Sequence, residues 1–121
     1  LLPVSAPFHS TLLRPAADKL ARRLAEIEVK TPSIPVIHNV DVAEHREHDA
    51  IRDALARQAA NPVHWTGTIR ALTARGVTHI VECGPGKVLA GLTRRISEDT
   101  PSYALTDSDA IAAAVAELKG A

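Results

Sequence analysis

Methionine is absent from this chain of 121 residues, and cysteine occurs once, as Cys83. A lone cysteine excludes an internal disulfide, and a reducing cytoplasm is the simplest setting for such a chain. The missing methionine, together with a start at Leu1 in what reads as a strand, makes the chain an expected fragment of something longer. Aromatic residues amount to 2%, so the core has to be aliphatic, built from Leu, Ile, Val and much Ala. Net charge is also lacking: fourteen basic residues balance fourteen acidic ones. A phosphate-backbone binder would carry a basic excess, so nucleic acid is not an expected partner. No apolar run approaches the length that spans a bilayer, and the N-terminus has no signal-peptide pattern, so no membrane association is expected.

What is present is ordinary for a globular protein, with 45% apolar and 23% charged residues. The length suits one compact domain, read here as a single α/β segment over 1–121. Pro3-Val-Ser-Ala-Pro-Phe-His9-Ser10 reads as a short strand, on Leu2 and Val4, that ends at a proline and presents an aromatic and a histidine. Leu13, Ala17, Leu20, Leu24 and Ile27 then recur at helical spacing, with Pro15 in the first turn. Residues 34–40 read as a strand and 41–47 as a polar loop. A second helix is expected over 49–59, capped by Asp49, and a third over 65–75, ended by Gly76. Residues 77–83 form the best strand pattern and run through Gly84-Pro85-Gly86 into a helix over 88–96. A weak strand over 101–105 and a helix from Ser108 to Leu118, capped by Ser108, complete the chain. Strands and helices alternate, which favours a mainly parallel sheet flanked by helices.

Several residues invite a chemical reading. Gly84-Pro85-Gly86-Lys87 sits where a phosphate loop would, but it lacks both GxGxxG and the GK[ST] ending, so a tight strand-to-helix turn that needs its glycines is favoured. Asp41, Glu44, His45, Glu47, His48 and Asp49 could suggest a metal site. They lie in a polar loop with no sulfur ligand, and a solvated loop is favoured; no metal and no cofactor are expected. His38 and His79 read as hydrogen-bonded strand histidines, and Cys83 as a small buried hydrophobe. His9 and His64 stand apart, each in a short loop beside a proline. If both loops open on the same sheet edge, the His64 loop could supply the backbone carbonyl that a general base needs on its far nitrogen. The nucleophile is missing: no Gly-x-Ser-x-Gly elbow occurs, and Ser10 is too near His9 in sequence for productive geometry.

Four stretches occur together and in order: Pro3-Val-Ser-Ala-Pro-Phe-His9-Ser10, Pro35-Val36 with Asn39-Val-Asp41, Asn61-Pro-Val-His-Trp65, and Glu82-Cys-Gly-Pro-Gly-Lys-Val-Leu89. In these the chain resembles the bacterial malonyl-CoA:acyl carrier protein transacylases of fatty acid synthesis, over essentially all of its length. The resemblance implies an α/β-hydrolase-like large subdomain carrying a ferredoxin-like insertion, with this chain as the C-terminal part that follows the insertion. It implies transfer of malonyl from CoA to the phosphopantetheine thiol of acyl carrier protein through a seryl-acyl intermediate. His9 matches the catalytic histidine, His64 the residue whose backbone carbonyl orients it, and Phe8 a residue that shapes the acyl pocket. The serine elbow and the malonate-binding arginine belong to the N-terminal half of such an enzyme, so that half is an expected partner and the chain alone is expected to be inactive. Two alternatives stand beside this reading. One is the acyltransferase domain of a polyketide or fatty acid synthase; the ending at Lys119-Gly-Ala121, without a linker, favours the free-standing enzyme. The other is a non-catalytic α/β module that holds an anionic ligand at Gly84 to Lys87.

Overall fold

The computed structural model describes residues 7–120; the strand expected at Leu2 and Val4 lies outside them. The chain, read above as one segment, falls into two compact units, with the boundary between Thr68 and Ile69.

In the first unit a 3-10 turn (Thr11–Leu13) leads into α1 (Arg14–Ala25), with Pro15 in the first turn as expected. There its missing N–H leaves no intrahelical bond unmade. Ala17 and Leu24, two turns apart, are the buried residues of α1. They face α2 (His48–Ala60), which buries Ile51, Ala54 and Ala60. With so few aromatics, this packing comes from many small aliphatic contacts. The carbonyls at the end of α1 have no donors within the helix. Arg52 of α2 supplies one of them, donating from Nε to the Leu24 carbonyl at 3.0 Å, and from its second terminal nitrogen it donates to the Ile27 carbonyl just past the helix at 2.8 Å.

The strand expected over 34–40 is cut to two residues. β1 (Ile37–His38) pairs antiparallel with β2 (Ala43–Glu44), in the stretch expected to be loop. The cause lies between them. Val42 N donates to the His38 carbonyl at 2.9 Å, Val42 takes a positive φ of 55°, and Asp41 Oδ1 accepts from Ala43 N. The chain therefore reverses within residues 39–42 and returns as a hairpin. This antiparallel pair is a departure from the mainly parallel sheet the sequence suggests.

The unit boundary falls inside α3 (Trp65–Ala74). Gly76 ends this helix as expected, at φ 81°. Gly76 N bonds the Thr73 carbonyl and Val77 N the Leu72 carbonyl, the paired pattern of a Schellman cap. In the second unit β3 (Ile80–Glu82), α4 (Val88–Ile96) and β4 (Ser102–Ala104) form a βαβ unit, with Ile80 opposite Ser102 and Glu82 opposite Ala104 in parallel register. Parallel strands need such a crossover, and here the alternation read from the sequence is borne out. α5 (Ser108–Gly120) follows. Its cap is Asp107 rather than Ser108: the Asp107 carboxylate accepts from Ala110 N at 2.8 Å, which draws its pKa down. Likewise Asp49 does not cap α2. Glu47 stands at the N-cap, and Asp49 pairs with Arg52.

A polar knot lies beside the hairpin. Asp41 accepts from Arg57 at 2.7 Å and from His45 at 3.0 Å, and Arg57 also holds Asp53. Burial pushes the Asp41 carboxyl up, but the bonds from Arg57, His45 and Ala43 N–H outweigh it and bring its pKa to about 2. His38 is buried, with no partner for Nε2, and its ring centroid is 5.2 Å from that of His45. Desolvation, then the nearby His45 and Arg57, lower its pKa against the pull of Asp41. Both shifts make the folded state bind fewer protons than the unfolded state in acid. Stability associated with His38 is complete above its usual 6.5 and falls below it. Stability associated with Asp41 is complete above 3.8 and is lost as pH drops to about 2. Urea midpoints measured against pH should show both declines; His38→Leu should remove the first and Asp41→Asn the second. Unchanged acid profiles in both variants would contradict this account.

Candidate active site

His9 sits between Phe8 and the 3-10 turn, and its backbone is left-handed, with φ 56°. Ser10 fixes that turn: its Oγ donates to the Pro7 carbonyl at 2.7 Å, and its carbonyl accepts from Leu13 N at 3.0 Å. This hydroxyl is thereby engaged locally. His9 is exposed, and its ring places Nδ1 2.9 Å from the Gln58 carbonyl oxygen. A carbonyl only accepts, so in the neutral ring the proton lies on Nδ1 and the lone pair on Nε2.

The orienting carbonyl was expected at His64. In this structure it is at Gln58, and helix geometry explains the difference. His64 immediately precedes α3, so its carbonyl is taken into the first turn, accepting from Thr68 N at 2.9 Å and Thr68 Oγ1 at 3.1 Å. Gln58 lies in the last turn of α2, where carbonyls have no donor within the helix. The neighbouring Arg57 carbonyl is satisfied in the same way, from outside the helix, by Asn61 Nδ2 at 2.7 Å. His64 is nevertheless tied to the same region, because its N–H donates to the Asn39 carbonyl at 3.0 Å. Phe8, the expected pocket residue, is 61% exposed beside His9. Gln58 was missed from sequence because a main-chain carbonyl carries no residue signal; the one clue is a lone amide side chain at the end of an alanine-rich helix.

The remaining candidates do other things. The His45 ring is bonded to Asp41, and that of His48 lies 3.4 Å from Thr31 Oγ1; no three ligand side chains converge among the described residues. His79 contacts Thr78 Oγ1 and stacks on Tyr103. Cys83 is exposed, against the expectation of a buried hydrophobe, because β3 ends one residue before it. The loop after β3 also corrects the sequence reading. Neither Gly84 nor Gly86 has a positive φ, and a Cβ at either would meet nothing closer than 3.7 Å, so the turn itself does not require glycine. The helix start behind that loop is already occupied. Glu82 Oε2 accepts from Ala90 N at 2.8 Å and sets a carboxylate where an anionic ligand would bind.

No family model matches the chain. The malonyl CoA-acyl carrier protein transacylase of Escherichia coli (strain K12) is 53% identical over 114 residues, which is 94% of this chain and 37% of that protein. The crystal structure of an acyl-carrier-protein S-malonyltransferase from Burkholderia pseudomallei 1710b matches with a TM-score of 0.88 at 52% identity, over 93% of this chain and 37% of that one. A malonyl-transacylase in complex with a type II polyketide acyl-carrier protein gives 0.90 at 46% identity, over 96% of this chain and 38% of that one. The chain thus spans little more than a third of the proteins it matches. The βαβ unit and these neighbours make it a segment of the α/β acyltransferase class. Within that class it is a relative of the malonyl CoA-acyl carrier protein transacylases.

The Glu82 cap can be tested directly. Glu82→Ala should lower stability by about 1 kcal/mol, as loss of a side-chain acceptor at a helix start does. Glu82→Gln should cost less, since an amide oxygen remains to accept. Equal unfolding midpoints for all three proteins would show that the contact carries nothing.

Proposed function

We propose that the chain is the C-terminal part of the large subdomain of a malonyl-CoA:acyl carrier protein transacylase and contributes its proton-transfer histidine. The observation that carries this reading is the His9 ring, held by a main-chain carbonyl through Nδ1 so that Nε2 presents a lone pair. In the reaction a serine from the N-terminal half gives its proton to Nε2 and bonds to the malonyl carbonyl carbon. The tetrahedral intermediate collapses, the carbon–sulfur bond breaks, and the proton passes from Nε2 to the CoA thiolate. The thiol of the carrier protein's phosphopantetheine arm then gives its proton to His9 and attacks the seryl ester. Malonyl moves to that sulfur, and the serine recovers its proton. Phe8 borders the acyl pocket by bulk, and His64, through the Asn39 carbonyl, steadies the facing loop.

The partners in this reading are malonyl-CoA, acyl carrier protein and the N-terminal half of the enzyme, in the cytoplasm, without nucleic acid or membrane. Among the described residues no helix is long and apolar enough to cross a bilayer. The similarity to a malonyl-transacylase complexed with a polyketide carrier favours a second reading of carrier choice, in which the acceptor belongs to polyketide synthesis. The binding-module alternative is weakened by Glu82, which fills its anion position.

The chain holds no serine elbow, so a pure preparation should transfer no malonyl from CoA to carrier protein. Transfer should appear when a polypeptide with the serine elbow is added, and fail with His9→Ala. Transfer by the chain alone would overturn the proposal. Apolar side chains also stand uncovered, among them Leu12 (73%), Ile34 (75%) and Val88 (70%), with Ile111, Val115 and Leu118 in one stripe along α5. The isolated chain should therefore self-associate in light scattering; a monodisperse, cooperatively unfolding monomer would count against it.

A further inference from the structure

We propose that His38 is a pH-sensitive latch on the β1–β2 hairpin: a proton on its ring opens the hairpin, frees Asn39 and so disarms His9. The local opening stands apart from the transacylase reading; its consequence for His9 rests on that reading. His38 is 4% exposed, and its Nε2 has no hydrogen-bond partner. A neutral ring can stay in such a place, but an imidazolium cannot, because a buried charge needs a counter-ion in contact. The charged and titratable groups around the ring supply none. The ring centroid of His45 is 5.2 Å away and Arg57 approaches from α2; both oppose a positive charge on His38. Asp41 attracts one, but its oxygens are committed. Oδ2 accepts from Arg57 and His45, and Oδ1 accepts from Ala43 N. Asp53 stands behind, bonded to Arg57. Glu44 of β2 is opposite Ile37, one pair along from His38 and Ala43, so its side chain points to the other face of the ribbon.

The latch sits where a small opening carries far. The hairpin has two residues in each strand, and its turn holds Val42 at a positive φ of 55°, a strained conformation for a β-branched residue. A short, strained segment with few bonds is the first to open locally. The His38 carbonyl accepts from Val42 N at 2.9 Å and closes the turn. Asn39, the next residue, makes three bonds. Its N–H donates to Gln58 Oε1 at 3.2 Å, its carbonyl accepts from His64 N at 3.0 Å, and its Oδ1 accepts from Thr68 Oγ1 at 3.0 Å. When the charged ring leaves for water, the backbone at 38 and 39 moves with it and these bonds part. The Asn61 to Trp65 loop then loses its tie to the hairpin. The last turn of α2 loses the anchor beside the carbonyl that holds His9. Opening takes up one proton, because the ring has its usual pKa of 6.5 when open and a lower one when closed. Between those two values each unit of acid multiplies the open population by about ten.

The test is hydrogen exchange against pH, read by mass spectrometry on peptides of the native chain and corrected for the intrinsic effect of pH on amide exchange. Peptides covering 37–45 and 61–68 should lose protection together as pH falls below 6.5, while those of α1 keep theirs. His38→Leu and His38→Gln remove the titrating ring. In either variant, once circular dichroism shows it folded at neutral pH, the fall should vanish. Protection lost in all segments at once, with no earlier loss at the hairpin, overturns the latch and needs no variant to show it. A fall that survives the substitutions overturns it too. With the serine-elbow polypeptide added, malonyl transfer should decline in acid more steeply than one proton allows. With His38→Leu it should decline with the slope of a single proton, that of His9. A one-proton decline in both proteins would overturn the link from the latch to His9. Absence of transfer at every pH would instead sink the transacylase reading, while the exchange result would still decide the latch.

Discussion

Helix ends govern this structure. Each helix leaves N–H groups unpaired at its start and carbonyls unpaired at its finish, and a buried or half-buried end must find partners elsewhere. Here those partners are local at some ends and far along the chain at others. Arg52 serves the end of α1, a Schellman turn at Gly76 closes α3, Glu82 serves the start of α4, and Asp107 serves the start of α5. At the end of α2 the partners are Asn61 and His9. The histidine of the candidate site is thus one more answer to an unpaired carbonyl, and its tautomer is a by-product of how a helix terminates.

That origin also decides what could be read in the sequence. Where a signal is local, it was legible. The period of α1, the limits of α4, the left-handed cap at Gly76 and the strand–helix–strand order of the second unit all depend on neighbours a few residues apart. Where the outcome rests on which backbone group a side chain meets, or on an unusual φ, it was not. Glu82 reaches a helix N–H eight residues on, and the Gly84-Pro85-Gly86 turn between them gives no sign of that contact. The β1–β2 hairpin depends on a positive φ at Val42, which a β-branched residue gives no reason to expect. Asp107 and Ser108 are both good capping residues, and only the position of Ala110 N chooses between them. His9 was singled out through the motif around it. Its carbonyl partner was placed six residues too late, at His64, because motif likeness names residues and not the main-chain groups left free by helix geometry.

The division of labour that results is uneven. One unit carries the histidine, its carbonyl and the Asp41 knot. The other carries the parallel pair and a capped helix start that leaves no room for an anion. The chain matches its relatives closely while spanning little more than a third of their length. Under the proposed reading, its uncovered apolar side chains meet the rest of the enzyme. On the proposed reading His9 is a base whose serine is brought to Nε2 from outside these residues.

The most direct measurement is therefore of the serine rather than of the product. A polypeptide carrying the serine elbow is mixed with malonyl-CoA, and covalent malonylation of that serine is followed by intact mass. The account predicts rapid acylation only when this chain is present with His9 intact. Acylation at the same rate without the chain, or with His9→Ala, would contradict it.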